Sequence, residues 1–438
     1  MNLNYDLAAY LVSIISLVMV VFLLGMSIYY LIYWSISARK SVPVPHSDKF
    51  SKFAVLIAAR NESHVITHLL ESLSKQTYPK EYYSVYLIVE DRNDPTMKLA
   101  QEYGFHCFIR DRLTPDRRTK GFALQECIDH IDRHNREYDA YMIFDADNLL
   151  DDNYLEVMND LRQTGVRVGL GYRNFTNANT NWLTAGSAIM FSYMNQITSK
   201  GRSILFHKAT LMGTGYFVDS SVVKEAGGWI FTGMTEDIQL TSYCVYHDIY
   251  MRYYPLVCFY DEQSPKFKTV HNQHLRWLFG YFERRTFLKK AGVQDDYHSK
   301  NMQKFMKFEF ECGLIPFIIY NVVTFFLAFI ALAFGILSLS YGKDYQSVIL
   351  FITFGFNILM LYSVFVVPAL LSVIRDHEHL KLTTKNKIIG VLTYMFYFYD
   401  FVWAFLDGLF HPAKRKTWKK IEHTGEINNE DLVNKDGK

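Results

Sequence analysis

Two aspartates separated by one residue, Asp145 and Asp147, directly follow the apolar run Tyr141–Phe144. If that run is a strand, side-chain alternation points both carboxylates to the same side. Hard oxygen ligands of this kind suit Mg²⁺ or Mn²⁺ bridged to phosphate oxygens, where the metal acts as a Lewis acid on a leaving diphosphate. An acidic pair at a strand end is also an ordinary solvated turn, so this interpretation depends on the motifs that accompany it.

A second acidic motif, Thr235-Glu236-Asp237, precedes an apolar-patterned helix. We predict a catalytic segment here, with Asp237 as the general base that takes a proton from an acceptor hydroxyl. The same residues are typical of a helix start, where a threonine caps the first turn and carboxylates favour it electrostatically. Only the association with the other motifs favours the catalytic interpretation.

A third motif, Gln273-His274-Leu275-Arg276-Trp277, is the least ordinary in the chain. Arg276 offers a fork of donors for a diphosphate, and Trp277 offers a flat apolar face for a sugar ring. The alternative is an aromatic and basic anchor at a membrane surface. The order of the whole set of motifs favours binding, with Gln273 in the same site.

Polar residues also follow two earlier predicted strands. Ala59, Arg60 and Glu62 end the first, and Asp91 follows the second. Ligands of open α/β sheets bind beyond the carboxyl ends of the strands, so we predict that these residues bind a nucleotide. Glu62 and Asp91 can accept hydrogen bonds from the imide and hydroxyls of a uridine. Lys120 opens a helix, where a cation and free amides suit a phosphate; helix caps, turns and a surface lysine are the ordinary alternatives.

The elements that must position these residues alternate along the chain. The short apolar runs Phe53–Ile57, Val85–Val89 and Tyr141–Phe144 predict buried parallel strands. The polar-patterned stretches Glu62–Lys75 and Gly121–Arg133 predict helices between them. This alternation predicts an open, mostly parallel α/β sheet with right-handed crossovers.

Long apolar segments flank this region. The run Leu7–Ile36 is too long for a signal-peptide core and lacks a basic start, so we predict a transmembrane helix. Residues 312–339 and 348–374 are also long enough to span a bilayer. Residues 274–307 mix aromatic and basic side chains, which predicts amphipathic helices on a membrane surface.

The last apolar stretch, 388–410, contains Asp400 and Asp407, which would be costly against lipid. If it spanned the bilayer, the basic tail Lys414–Lys420 would lie outside, against the positive-inside rule. We therefore expect a re-entrant or interfacial segment, or a helix that faces a protein-lined channel. The basic flank Ser37–Lys40 predicts that the domain after the first helix is cytosolic.

Composition limits the remaining possibilities. The 438 residues are 50% hydrophobic with a net charge of +2, which does not favour a nucleic-acid binder. Five scattered cysteines without a CxxC pair predict neither a disulfide framework nor a zinc site. The predicted units are an N-terminal transmembrane helix (1–37), a cytosolic catalytic domain (50–272), interfacial helices (273–311), a transmembrane or re-entrant region (312–410) and a cytosolic basic tail (411–438).

From Ala58 to Trp277 the ordered motifs resemble family 2 glycosyltransferases of the processive, membrane-integrated type, such as cellulose, hyaluronan and poly-N-acetylglucosamine synthases. The resemblance implies a GT-A catalytic domain between transmembrane helices of the plasma membrane. It implies an inverting, metal-dependent hexosyltransferase that polymerises a sugar from a UDP-sugar into a secreted β-linked polysaccharide. UDP-glucose is favoured over UDP-N-acetylglucosamine and UDP-glucuronate only because of the likeness to β-glucan synthases.

The resemblance also assigns residues beyond the three motifs. It implies that Gly213, Thr214 and Gly215 line an acceptor site together with Trp277, and Trp418 resembles a lid over the nucleotide. A Glu90-Asp91 pair replaces the usual two aspartates, and only one helix precedes the catalytic domain. A second copy of the chain or an accessory secretion protein is therefore a candidate partner beside the lipid bilayer. The alternatives are a non-processive transferase with a membrane lipid as acceptor and, from another class, a transporter or sensor with a nucleotide-sugar-binding domain.

Overall fold

The computed structural model describes residues 2–292, 314–412 and 414. Its centre is an eight-stranded mixed sheet with the strand order β3-β2-β1-β4-β7-β6-β8-β5. The strands are β1 (Phe53–Ala58), β2 (Tyr83–Val89), β3 (His106–Ile109), β4 (Ala140–Asp145), β5 (Leu149–Leu150), β6 (Val168–Phe175), β7 (Tyr216–Asp219) and β8 (Met251–Asp261).

The pairing of the strands brings the predicted motifs to one edge. Strands β1, β2, β3 and β4 are all parallel, so the segments that follow β1, β2 and β4 leave the sheet on the same side. Strand β7 is antiparallel to both β4 and β6, while β6 and β8 are parallel to each other. The predicted α/β fold with a mixed sheet is thereby confirmed.

Helices cover both faces of the sheet. They are α1 (Asn2–Ser37), α2 (Ile66–Ser74), α3 (Thr96–Glu102), α4 (Lys120–Arg133), α5 (Tyr154–Gln163), α6 (Trp182–Tyr193), α7 (Arg202–Phe206), α8 (Ser220–Glu225), α9 (Glu236–Tyr246), α10 (Phe267–Lys290), α11 (Leu314–Ser340), α12 (Asp344–Arg375) and α13 (Thr384–Phe410). A π-helical segment, Met194–Gly201, joins α6 to α7.

Strand β1 shows how the two cores form. Its side chains alternate, so Ala54 and Leu56 enter one apolar core while Val55 and Ile57 enter the other. The first core also holds side chains of α4, α6 and α9, and the second holds those of α2, α3 and α5. A strand buried on both faces reads as a continuous apolar run, which is why the sequence predicts these strands without alternation.

Four helices of the described chain, α1, α11, α12 and α13, are long and apolar enough to cross a membrane. Helix α11 packs along α12, and α1 contacts both of them. Helices α12 and α13 also pack against α6, which belongs to the first core of the sheet domain. The apolar helices are therefore joined to the face of the sheet that carries α6.

Two expectations about the membrane region can be compared with this arrangement. For the stretch 388–410 we expect a re-entrant or interfacial segment, or a helix that faces a protein-lined channel. In the structure this stretch lies in one unbroken helix, α13. Its Asp400 is 2% exposed and faces α10, which removes the electrostatic objection to a span. Helix α10 covers the first part of the predicted interfacial region and ends at Lys290; residues 293–311 and Trp418 lie outside the described residues.

Gly121 allows α4 to approach the loop before α9. A methyl group at this position would meet the backbone of Phe231 and Thr232, which cannot move away as a side chain can. We expect Gly121→Ala to lower the free energy of unfolding by about 1–3 kcal/mol, as overpacking does. Gly355→Ala is the matched control, because nothing lies within 4 Å of its added carbon. Denaturant unfolding in detergent measures both, and equal stability of the two variants would contradict this packing.

Candidate active site

A cavity of about 400 Å³ lies beyond the carboxyl ends of β1 and β4, between the sheet and helices α6, α9 and α10. Most of the predicted site residues line it. They are Ala59, Arg60, Glu62, Lys120, Asp145, Asp147, Gly213, Thr235, Glu236, Asp237, Gln273, Arg276 and Trp277. Segments from Ala59 to Trp277 that are far apart in the sequence thus meet at one site.

Three predicted residues do not line the cavity. Asp91 is exposed in the loop after β2, where its carboxylate accepts a hydrogen bond from the backbone N–H of Asn93 at 2.9 Å. Glu90, its neighbour, lines the cavity instead. Thr214 is buried, and Gly215 lies against the ring of Phe259, so neither residue lines the cavity.

Thr214 holds the aspartate turn from below. The Asp145 amide donates to the Thr214 hydroxyl at 2.9 Å and to the side-chain oxygen of Asn148 at 3.1 Å. The Thr214 hydroxyl also contacts Asn148, which donates in turn to Asp261 at 3.3 Å. Since these groups are buried and satisfied by one another, they fix the direction in which the turn presents its carboxylates.

Lys120 stands at the centre of the carboxylates. The Thr119 hydroxyl caps α4, and the Lys120 ammonium donates to Asp145 at 2.5 Å and to the Gly213 carbonyl at 2.8 Å. The nearest carboxylate oxygen of Glu236 is 3.8 Å away. Burial disfavours the charged form, but Asp145 and Glu236 outweigh it and raise the pKa of Lys120. The cation that the sequence predicts for a phosphate thus contacts a carboxylate of the aspartate turn.

The acidic groups of the cavity have elevated pKa values. Burial raises the pKa of Glu236 to about 8, although Lys120 opposes the shift. Burial also raises the pKa of Asp237, while the backbone amide of Ile238 at the start of α9 opposes it. A carboxylate that holds a proton more tightly than usual is a better proton acceptor during a reaction near neutral pH.

Thr235 precedes α9, as predicted, but it does not cap the helix with its side chain. Its hydroxyl is buried and makes no hydrogen bond with any described residue. Gly280 of α10 packs directly against this threonine, leaving no room for a side chain at position 280. The contact fixes the start of α9 against α10, and so fixes Asp237 relative to Arg276.

Arg276 and Trp277 approach the cavity from α10. The Arg276 guanidinium forms no hydrogen bond or ion pair within the described part of the chain, although Asp145, Glu236 and Asp237 act on it electrostatically. Burial lowers the pKa of Arg276 from its very high ordinary value. Trp277 packs edge-on against Phe191 of α6, with ring centroids 6.0 Å apart. A half-buried arginine without a protein partner is suited to an anionic ligand.

A buried ion pair, Arg173 with Asp261, lines the cavity and was not predicted from the sequence. Arg173 contacts Asp261 through two guanidinium nitrogens, and its guanidinium lies over the ring of Phe191 at 4.1 Å. Arg173 lies in β6 and Asp261 ends β8, two parallel strands whose pairing is visible only in the fold. The acidic pair Asp261-Glu262 at the end of β8 is the one sequence signal that could have indicated this site.

A second unpredicted charge network surrounds Glu90. Arg110 is buried and donates to Glu126 at 3.0 Å and to Glu90 at 3.4 Å. Arg60 reaches Glu90 from the opposite side at 3.2 Å. The cavity wall below β1 and β2 is therefore made of paired charges whose positions are fixed by several contacts each.

The donor set of the aspartate turn fits a divalent cation. Burial, with the negative charges of Asp261 and Asp145, raises the pKa of Asp147 well above its usual range, so a cation would favour the ionised form. Carboxylate oxygens are the ligands that Mg²⁺ and Mn²⁺ prefer. No group of three or more His, Cys, Asp or Glu side chains in the described ranges could hold a metal by itself. Substrate phosphates and water would complete such a site.

Comparison with known proteins places the chain in a class. The family model described as "Glycosyltransferase like family 2" matches residues 51–280, which is the sheet domain together with the motif of α10. A mannosyltransferase from Pyrobaculum calidifontis, solved with GDP-Man and Mn²⁺, has the same fold with a TM-score of 0.54 and 12% identity. That likeness covers 91% of this chain and 99% of the other. The fold is that of a GT-A glycosyltransferase, and the chain belongs to glycosyltransferase family 2.

Curated relatives are similar over about half of this chain. "Probable glycosyltransferase YdaM" of Bacillus subtilis is 26% identical over 52% of this chain and 55% of its own length. "Beta-monoglucosyldiacylglycerol synthase" of Trichormus variabilis is 27% identical over 53% of this chain and 49% of its own length. The chain therefore spans about half the length of the curated relatives it matches.

The Arg173–Asp261 pair supports the site energetically. We expect Arg173→Leu to lower the free energy of unfolding by about 3–5 kcal/mol, because it leaves a buried carboxylate without its partner. Arg167→Leu is the control: it breaks a more exposed pair with Glu225, worth about 0–1 kcal/mol. Unfolding by denaturant in detergent compares the two. The double variant R173L/D261N should recover part of the loss, and equal losses in both single variants would contradict the assignment.

Proposed function

We propose that the protein transfers a sugar from a nucleoside diphosphate sugar to an acceptor hydroxyl, with inversion at the transferred carbon. The observation that carries this proposal is one cavity in which the Asp145–Asp147 turn, Asp237 and the guanidinium of Arg276 meet. The turn and the arginine stabilise the departing diphosphate, and Asp237 takes the acceptor proton. The two charges of the leaving group are thereby stabilised where they develop.

The donor occupies the side of the cavity formed by β1, β4 and α4. Arg60, Glu62 and Glu90 line its outer part, where a nucleoside can form hydrogen bonds. Asp145 and Asp147 would hold Mg²⁺ or Mn²⁺, which would supply Lewis acidity to the diphosphate. Lys120, whose ammonium lies 2.5 Å from Asp145, is the cation placed to bind a phosphate oxygen beside this turn. UDP-glucose is the first donor to test, on the likeness to β-glucan synthases.

The acceptor is a membrane lipid with a free hydroxyl. The inner cavity wall is apolar, with Met190 and Phe191 of α6, Met194 of the π-helical segment and Phe401 of α13. Phe401 belongs to a helix that can cross a membrane, so this wall is continuous with the membrane region. A relative named for transfer to an acylglycerol supports the same acceptor class. The catalytic domain then faces the cytosol, as the basic flank after α1 predicts.

Polysaccharide synthesis is the second candidate. Gln273, Arg276 and Trp277 line the cavity together, as the resemblance to processive synthases implies. Trp277 can stack on a sugar ring of a growing chain as well as on the first acceptor. Under this alternative the product leaves along the helices α11–α13, with a second copy or an accessory protein completing the path.

The products separate the two candidates. Purified protein in lipid nanodiscs would be given Mg²⁺ or Mn²⁺ and radiolabelled UDP-glucose, UDP-N-acetylglucosamine, UDP-glucuronate or GDP-mannose. We expect label in a chloroform-soluble glycolipid with one sugar. Label in an aqueous polymer resistant to lipid extraction would establish the polysaccharide reaction instead. No transfer and no nucleotide release with any donor would refute the proposed function.

The two neighbouring carboxylates of α9 should differ in effect. We expect Asp237→Asn to lower kcat by about 10²–10⁴-fold, the usual contribution of a general base. Nucleotide affinity should change little. Glu236→Gln is the matched control: with a pKa of about 8, Glu236 is mostly protonated at pH 7, and the amide resembles that form. Steady-state kinetics at pH 7 tests the pair, and a larger loss from the glutamate variant would exchange their roles.

A further inference from the structure

Helix α10 carries two different sets of side chains. Successive residues turn by about 100° around the helix axis, so positions 271 and 274 lie nearly opposite positions 273 and 276. Gln273 and Arg276 line the cavity. His271 and His274 instead face α13 and contact Asp400. The contacts that His271 and His274 make on one side of α10 therefore determine where Gln273 and Arg276 point on the other side.

Asp400 uses both carboxylate oxygens in this contact. It accepts one hydrogen bond from His271 Nδ1 at 2.7 Å and one from His274 Nδ1 at 2.8 Å. An ionised carboxylate can only accept, so each ring donates from Nδ1. Asp400 and His274 are almost completely buried, with 2% and 0% exposure. His271 Nε2 also lies 3.4 Å from a carboxylate oxygen of Asp407, which is about two helical turns further along α13.

Apolar contacts surround these hydrogen bonds on both sides. The His274 ring stacks on Phe401, with centroids 3.8 Å apart and planes inclined by 15°. Phe401 itself lines the cavity, and the Trp277 ring lies 5.6 Å from the His274 ring. Further along, Gly408 of α13 lets Phe279 of α10 approach its backbone. The hydrogen bonds between Asp400 and the two histidines therefore lie next to two aromatic rings, Phe401 and Trp277, that line the cavity.

A carboxylate inside an apolar helix has few alternatives to this geometry. Such a group must face the protein interior and be fully hydrogen-bonded, since lipid offers it no partner. Any rotation or sliding of α10 along α13 would break at least one of the two bonds. The position of α10 is thus restricted more strongly than apolar contacts alone would restrict it.

We propose that Asp400 is a positioning residue of the transferase site. Through His271 and His274 it fixes the rotation of α10 against α13, and this places Arg276 at the diphosphate and Trp277 at the acceptor. The inference rests on the proposed function for the roles of Arg276 and Trp277. The geometric part, that Asp400 controls the surroundings of Trp277, does not depend on catalysis.

The test compares Asp400→Leu, Asp400→Asn and wild type. The leucine loses both hydrogen bonds, and the asparagine keeps one acceptor. We expect kcat to fall about 10–100-fold in D400L, which is the scale expected from a displaced catalytic group, and less in D400N. UMP affinity, measured by calorimetry, should stay close to the wild-type value, because β1, β2 and α4 bind the nucleoside and UMP lacks the diphosphate that Arg276 contacts. If D400L fails to fold, D400N still tests the proposal through the same split between kcat and affinity.

Trp277 fluorescence gives a readout without activity. The emission of Trp277 is obtained in each background by subtracting the spectrum of the matching W277F variant. We expect it to shift in D400L and D400N. Thr393→Val is the matched control, since it removes a polar group from the same helix whose hydroxyl donates to the Ile389 carbonyl of that helix at 2.7 Å. It should leave both kcat and the Trp277 spectrum unchanged.

Each outcome is decisive. Wild-type kcat and an unchanged Trp277 spectrum in folded D400L and D400N would overturn the proposal. If activity falls only in proportion to the amount of folded protein, Asp400 is a stabilising residue and not a positioning residue, and the proposal is overturned as well. If wild type transfers no sugar but the Trp277 spectrum shifts, the proposed function fails while the geometric part of the inference stands.

Discussion

Negative charge gathered at the carboxyl ends of the strands is the constraint on which the site depends. Asp145, Asp147, Glu236 and Asp237 line one half-buried cavity, where water screens their repulsion poorly. Lys120 contacts one of them directly and lies near a second. The Lys120 ammonium group therefore offsets only part of this negative charge, and a divalent cation bound by the aspartates would offset more of it.

The same constraint explains why the supporting contacts are so numerous. Like charges would push the aspartate turn and the start of α9 apart unless other groups held them. Thr214 and Asn148 hold the turn through its backbone, and Gly280 holds the start of α9 through Thr235. Preorganised charge of this kind is the main source of catalytic power in many enzymes, because no reorganisation is needed during the reaction.

Helix α10 connects the sheet domain, the cavity and the long apolar helices. It continues from the sheet through the short segment after β8, contributes Arg276 and Trp277 to the cavity, and packs along α13. The long apolar helices therefore contribute directly to the site, since Phe401 of α13 forms part of the cavity wall. Under the proposed function, a lipid acceptor lies on this wall while its hydroxyl approaches Asp237.

Much of this arrangement follows from local patterns. The predicted strands at Phe53–Ile57, Val85–Val89 and Tyr141–Phe144 all lie within β1, β2 and β4, because buried parallel strands leave continuous apolar runs. The polar residues after β1, β2 and β4 were predicted as site residues because each group follows such a strand. Pairs that lie far apart in the sequence could not be found in this way: Arg173 meets Asp261 only through the pairing of β6 with β8.

Asp400 illustrates the other limit of sequence reasoning. Its charge in an apolar stretch correctly indicates that it must avoid lipid, but the pattern does not reveal its partners. The sequence leaves open a re-entrant segment, an interfacial segment or a helix that faces a protein-lined channel. In the structure α13 is a continuous helix whose aspartate is satisfied by two histidines of α10. Those histidines lie within or beside a motif selected for its arginine and tryptophan. Helical periodicity could have separated the two faces, but not shown what the second face binds.

The central claim is that the carboxylate-lined cavity binds a nucleoside diphosphate through a divalent cation. Calorimetric titration of UDP into the protein, with and without Mg²⁺ or Mn²⁺, tests it most directly when wild type is compared with the D145N/D147N variant. The account predicts that the cation strengthens UDP binding in wild type and has no such effect in the variant. UDP binding that is equally tight with and without the cation, in both proteins, would contradict it.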